Sequence, residues 1–135
     1  MILVDTSVWI DLLRDRTGDV VQAFERKTHG ETSVLCRFTQ LELLQGAKSE
    51  EDWKLLDGHL LSQLYLEATE RTWSDAARIF FELRRKGITV RSSVDCCIAQ
   101  IALEHDAILL HKDADFDRIA SVRPLRSEWF PEQTV

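Results

Sequence analysis

Three short apolar runs punctuate the chain: Ile2-Leu3-Val4, Val34-Leu35-Cys36 and Ala107-Ile108-Leu109-Leu110. Each is too short for a helix and is continuous rather than alternating, which predicts buried strands. Leu64 to Leu66 and the stretch around Val122 to Leu125 are weaker strand candidates, the second restricted to a sheet edge by Pro124. Between the runs the period becomes helical. Val94, Cys97, Ile98, Ile101 and Ala102 follow i, i+3, i+4, i+7, i+8 and predict a helix over 93–105. Trp73, Ala76, Ala77, Phe80 and Leu83 predict another over 72–86, with Gly87 at the position of a carboxyl cap. Ser49 followed by Glu50, Glu51 and Asp52 starts a helix near 50–62, and Thr39-x-x-Glu42 has the spacing of a capping box. Shorter helices are expected at 6–14 and 19–28.

Strands alternating with helices imply an α/β fold: three layers, α/β/α, around a central parallel sheet of about four to five strands. No repeat, low-complexity run or linker interrupts the 135 residues, and the two prolines, Pro124 and Pro131, lie near the carboxyl end, so a single domain over 1–135 is expected. No stretch approaches the ~20 apolar residues of a membrane span. The amino terminus has neither a basic leader nor a cleavage site, and a cytoplasmic protein is expected. Cys36, Cys96 and Cys97 lack C-x-x-C spacing and suggest buried thiols rather than disulfides or zinc.

In such a sheet the carboxyl ends of the strands and the amino ends of the helices that lead into the next strand share one edge. Asp5 directly follows the first strand and Asp113 follows the 107–110 strand after two residues. Glu42 is placed in the first turn of the helix after the second strand, and Asp95 in the first turn of the helix before 107–110. Each acid has a local explanation: a capping-box bond for Glu42, dipole stabilisation for Asp95, a turn for Asp113. Together they would repel one another at one edge unless a cation compensates them. Oxygen-only ligands favour Mg²⁺ or Mn²⁺ over zinc.

A carboxylate-held divalent ion favours water as nucleophile and suits phosphodiester hydrolysis, with one or two ions both compatible with the sequence. The net charge of −6 argues against a nucleic-acid partner at first. Carboxylates committed to metal are not free surface charge, however, and a local basic rim can still attract a polyanion.

Val-Asp-Thr-Ser at 4–7, Thr-Gln-Leu-Glu at 39–42, Ser-Val-Asp at 93–95 and Asp-Ala-Asp-Phe at 113–116 together resemble a PIN domain, and within that family the VapC-type toxins of bacterial toxin–antitoxin pairs. The match runs from about residue 2 to 130. The resemblance implies a Mg²⁺- or Mn²⁺-dependent endoribonuclease toxin with Asp5, Glu42, Asp95 and Asp113 as its acidic quartet and Asp115 as a further acid that assists or holds the turn. It implies supporting hydroxyls at Thr6 and Ser7, a homodimer, and a cognate VapB-type antitoxin. Two positions depart from the pattern. His111 stands where relatives often have Thr, and is expected to be a solvated loop residue. Ser93 stands where Pro is frequent, and is expected to cap its helix instead.

Arg37, Arg91 and Lys112 are the candidates for gripping RNA phosphates. Arg84-Arg85-Lys86 closes a helix, where positive charge is favourable in its own right. Trp9 and Trp73 fall at apolar helical spacings and are expected in the core or a dimer interface. Two other functions compete. A phosphoacceptor receiver module would need a paired acid that the sequence lacks, and a PIN nuclease of RNA processing would share the same quartet.

Overall fold

The computed structural model describes residues 1–133. Its elements are β1 (Ile2–Val4), α1 (Thr6–Arg14), α2 (Asp19–Lys27), β2 (Ser33–Val34), α3 (Arg37–Gln45), α4 (Glu50–Leu61), α5 (Thr72–Arg85), α6 (Ser93–Glu104), β3 (Ile108–His111), α7 (Asp115–Ala120) and β4 (Ser127–Trp129). The strands form one parallel sheet in the order β2-β1-β3-β4. An isolated parallel bridge between Leu35 and Tyr65 extends it beside β2, at the position of the 64–66 candidate.

The period of two in a strand explains the three layers. Leu3, Val34 and Leu109 point to one face, where they pack with Ile79 and Leu83 of α5, Ile98 and Ile101 of α6, and Phe116 and Ile119 of α7. Ile2, Val4, Leu35 and Leu110 point to the other, against Val8 and Trp9 of α1, Leu43 of α3 and Leu60 of α4. Because both faces are covered, the strands carry apolar residues at successive positions instead of alternating with polar ones. No helix of the described residues is long and apolar enough to cross a membrane.

Local chemistry sets the helix ends. Ser49 accepts from the Asp52 N–H at 3.0 Å, and Gly87, at φ +73°, takes the left-handed conformation that ends α5. Four expectations are corrected. The cap of α6 is Ser92, which accepts from Val94 N–H at 3.1 Å, while Ser93 is the first helical residue. Thr39 is no cap: α3 starts at Arg37, so Thr39 is buried inside it and Glu42 lies beyond the first turn. The 122–125 stretch is not a strand, because Asp115–Ala120 forms a short helix that buries Phe116 and Ile119, and pairing with β3 begins only at Ser127. His111 is not a loop residue; it ends β3, fully buried, opposite Trp129. Of the tryptophans, Trp9 is buried, whereas Trp73 remains more than half exposed and meets Phe38 edge-on.

Candidate active site

Asp5 continues β1 by one residue, its N–H donating to Leu110 O at 2.9 Å, and its side chain caps α1. Asp5 Oδ2 accepts from the Ser7 N–H at 3.1 Å and the Ser7 hydroxyl at 2.5 Å. Ser7 Oγ in turn accepts from the Lys112 N–H at 3.0 Å, tying the start of α1 to the loop after β3. Burial raises the Asp5 carboxyl above its ordinary pKa, and the two Ser7 bonds oppose that rise. The adjacent Thr6 hydroxyl donates to Glu42 Oε1 at 3.2 Å and lies 3.0 Å from the Thr39 hydroxyl. Glu42 is also raised, by burial and then by repulsion from Asp5, with the Thr6 bond opposing.

The first turn of α6 and the β3–α7 loop bring three acids together. Asp95, Asp113 and Asp115 each offer an oxygen, and these atoms lie within 4.8 Å of one another. Asp95 is pushed up to about 7, first by burial and then by repulsion from Asp113, Asp5 and Asp115, with Arg91 pulling the other way. Asp113 Oδ1 accepts from the Asp115 N–H at 2.9 Å and its Oδ2 from Arg91 Nη2 at 2.8 Å. Asp115, 1% exposed, accepts from Arg91 N–H at 3.1 Å, from Arg91 Nε at 3.3 Å and from Arg118 Nη1 at 2.7 Å. Burial alone would raise the Asp115 carboxyl, but these donors outweigh it and hold it below its ordinary value.

Five acids therefore line the edge in two linked groups: Asp95, Asp113 and Asp115 share one small volume, and Asp5 lies close enough to raise both Asp95 and Glu42. The donor set fits a hard divalent cation, since it is anionic and all oxygen, and the mutual repulsion that raises Asp95 is relieved by positive charge.

The basic candidates differ in how far they are committed. Arg91, mostly exposed, bridges Asp113 and Asp115. Lys112 pairs with Asp11 at 2.9 Å. Arg37 is held by both oxygens of Glu67 and lies 3.9 Å above the Tyr65 ring. Sequence reasoning passed over Arg118, although its i, i+3 spacing from Asp115 was readable. It also missed the His111 ring, which accepts at Nδ1 from the Asp113 N–H at 3.1 Å.

Residues 2–122 match the family model of the PIN domain. The chain is 34% identical over 134 residues to VapC ribonuclease Mb1587 of Mycobacterium bovis, covering 96% of this chain and 99% of that protein. It is 32% identical to ribonuclease VapC51 of Mycobacterium tuberculosis, covering 98% and 96%. Among solved structures the fold matches VapBC-1 of nontypeable Haemophilus influenzae with a TM-score of 0.78 at 21% identity, covering 98% of this chain and 100% of that one. It also matches VapBC2 of Rickettsia felis, bound to a DNA fragment from its promoter, with a TM-score of 0.76 at 21% identity, covering 96% and 98%. With an all-parallel sheet, an acidic carboxyl edge and these relatives over almost its whole length, the chain belongs to the PIN-domain family, in its VapC branch.

Proposed function

We propose that the protein is a divalent-metal-dependent endoribonuclease, the toxin of a toxin–antitoxin pair, and that Asp5, Glu42, Asp95 and Asp113 form its catalytic edge. The observation that carries this reading is the convergence of Asp95, Asp113 and Asp115 within 4.8 Å, with Asp95 raised to about 7 by its neighbours. Such a site is costly to keep ionised without a cation and becomes favourable once one is bound. A bound Mg²⁺ or Mn²⁺ would supply Lewis acidity that acidifies water and offsets charge on the scissile phosphate.

The chain's own residues orient that chemistry. Ser7 fixes the Asp5 carboxylate through two donors, and Thr6 holds Glu42 from the same turn of α1. Asp115 has little capacity left beyond Arg91 and Arg118, so it shapes the loop more than it binds a cation. Arg91 is the leading phosphate contact: it is exposed, it already lies against the acidic cluster, and a cation there would weaken its hold on Asp113. Lys112 flanks it, and Arg37, paired with Glu67, is the weakest of the three. RNA as substrate is supported by the relatives named VapC ribonucleases, and a VapB-type antitoxin by the VapBC toxin–antitoxin structures whose fold the chain shares, whereas a homodimer rests on the family resemblance alone.

Purified protein incubated with RNA is expected to cleave it in Mg²⁺ or Mn²⁺ and to stop in excess chelator. Asp5→Asn and Asp95→Asn are expected to abolish cleavage while circular dichroism shows the fold intact. Cleavage that persists without metal, or full activity in both variants, would sink the proposal. Induced expression should arrest growth and co-expression of the cognate antitoxin should relieve it; normal growth would favour an RNA-processing role.

A further inference from the structure

His111 is the one fully buried imidazole of the described chain, and its environment is hard to reconcile with simple packing. Its ring lies against Phe116 and Trp129, with centroids 5.0 and 5.1 Å away. Nε2 is buried without any hydrogen-bond partner. Nδ1 accepts from the Asp113 N–H, so the ring is the tautomer with its proton on Nε2, and that proton is the unpartnered one. A buried donor left unsatisfied costs about 1–3 kcal/mol, which an apolar side chain of similar size would not incur. The compensation is local and specific. Nδ1 is bonded directly to Cγ, as is the oxygen of an Asp or Asn, so His111 closes the same i to i+2 turn that those residues make. The Asp113 carboxylate then repeats the turn one step on, Oδ1 accepting from the Asp115 N–H at 2.9 Å.

We propose that His111 is a positioning residue: the bond from Asp113 N–H to its Nδ1 sets the backbone of the β3–α7 loop so that the Asp113 carboxylate faces Asp95. This deepens the metal-site reading above and rests on it for the consequence, though not for the bond itself. The two variants that test it separate packing from positioning. His111→Leu fills the space and removes the unpartnered donor but has no acceptor. His111→Asn keeps an acceptor at the Nδ1 position and gives up the ring's contacts.

Thermal unfolding, Mn²⁺ binding by calorimetry and hydrogen exchange at the Asp113 amide should be measured on the full chain. Leu is expected to be the more stable of the two, yet to bind Mn²⁺ about tenfold more weakly than wild type. Asn is expected to be less stable but close to wild type in Mn²⁺ affinity. The Asp113 amide should be protected in wild type and Asn and should exchange freely in Leu. Mn²⁺ affinity that follows stability, with Leu binding as tightly as wild type, would overturn the proposal. So would an unprotected Asp113 amide in the wild-type protein, which requires no variant to fold. Wild type that protects this amide but binds no Mn²⁺ would overturn the metal-site reading instead and leave the positioning bond standing.

Discussion

The Ser7 hydroxyl accepts from the Lys112 N–H at 3.0 Å across 105 positions of sequence, while donating to Asp5 Oδ2 at 2.5 Å. One hydroxyl thus joins the tip of β1 to the loop after β3, the two segments that carry Asp5 and Asp113. Ser7→Ala leaves the Lys112 N–H without this acceptor and Asp5 with only the backbone bond from Ser7. Its expected cost is about 1 kcal/mol of stability, since each lost bond is partly replaced by water. The effect on cleavage should be larger, about tenfold, because a displaced Asp5 would alter the proposed metal-ligand geometry. Denaturant melts and single-turnover cleavage measured side by side check this; equal cleavage with lowered stability would confine Ser7 to a structural role.

Asp95 makes the metal-free protein pH-sensitive. Its folded pKa is raised to about 7 against 3.8 for the free group, so between those values the native state binds more protons than the unfolded chain. Stability from this group is therefore fully present below about 4 and is lost as pH rises through about 7. Asp95→Asn removes that slope and should make the metal-free protein more stable than wild type at pH 8, even though the same variant is expected to abolish cleavage. Saturating Mn²⁺ should reverse the order by stabilising wild type alone. Melting temperatures from pH 5 to 8, with and without Mn²⁺, test both halves. A variant no more stable than wild type at pH 8 in chelator would show that the carboxylate is already compensated.

Much of this site was legible in sequence because it lies where the sheet's topology forces residues together. Asp5 and Asp113 follow strand ends that three apolar runs mark plainly, and Asp95 starts a helix whose period is regular. Glu42 was placed one turn early because Thr39-x-x-Glu42 imitates a cap, whereas the Thr39 hydroxyl is buried beside Thr6. The sequence offers no sign of that contact, which joins residues 33 positions apart. Helix α7 was missed since six residues carry too little period to recognise, and Pro124 suggested an edge strand nearby. His111 was misjudged for a related reason: a polar residue after an apolar run reads as a strand's exit, and only the pairing with Trp129 reveals that the strand continues through it.

Asp113 and Asp115 stand two residues apart and share Arg91, but Asp115 alone also holds Arg118, which on the proposed metal site separates ligand from scaffold. Asp115 is almost fully buried and accepts three bonds from Arg91 and Arg118, whereas Asp113 keeps part of its carboxylate toward solvent. Asp115→Asn weakens both arginine contacts. Because the arginines are largely exposed, the expected loss is held to about 2 kcal/mol. The same pairs lower the folded pKa of Asp115, so its contribution is present above the ordinary carboxylate pKa and disappears as pH falls through the folded value. The stability difference between wild type and Asp115→Asn should accordingly shrink in acid. Asp113→Asn should leave stability nearly unchanged at pH 7 and weaken Mn²⁺ binding more strongly than Asp115→Asn does. Paired urea melts at pH 7 and pH 3 with Mn²⁺ calorimetry distinguish the two acids. Weaker Mn²⁺ binding in Asp115→Asn than in Asp113→Asn would exchange their assignments.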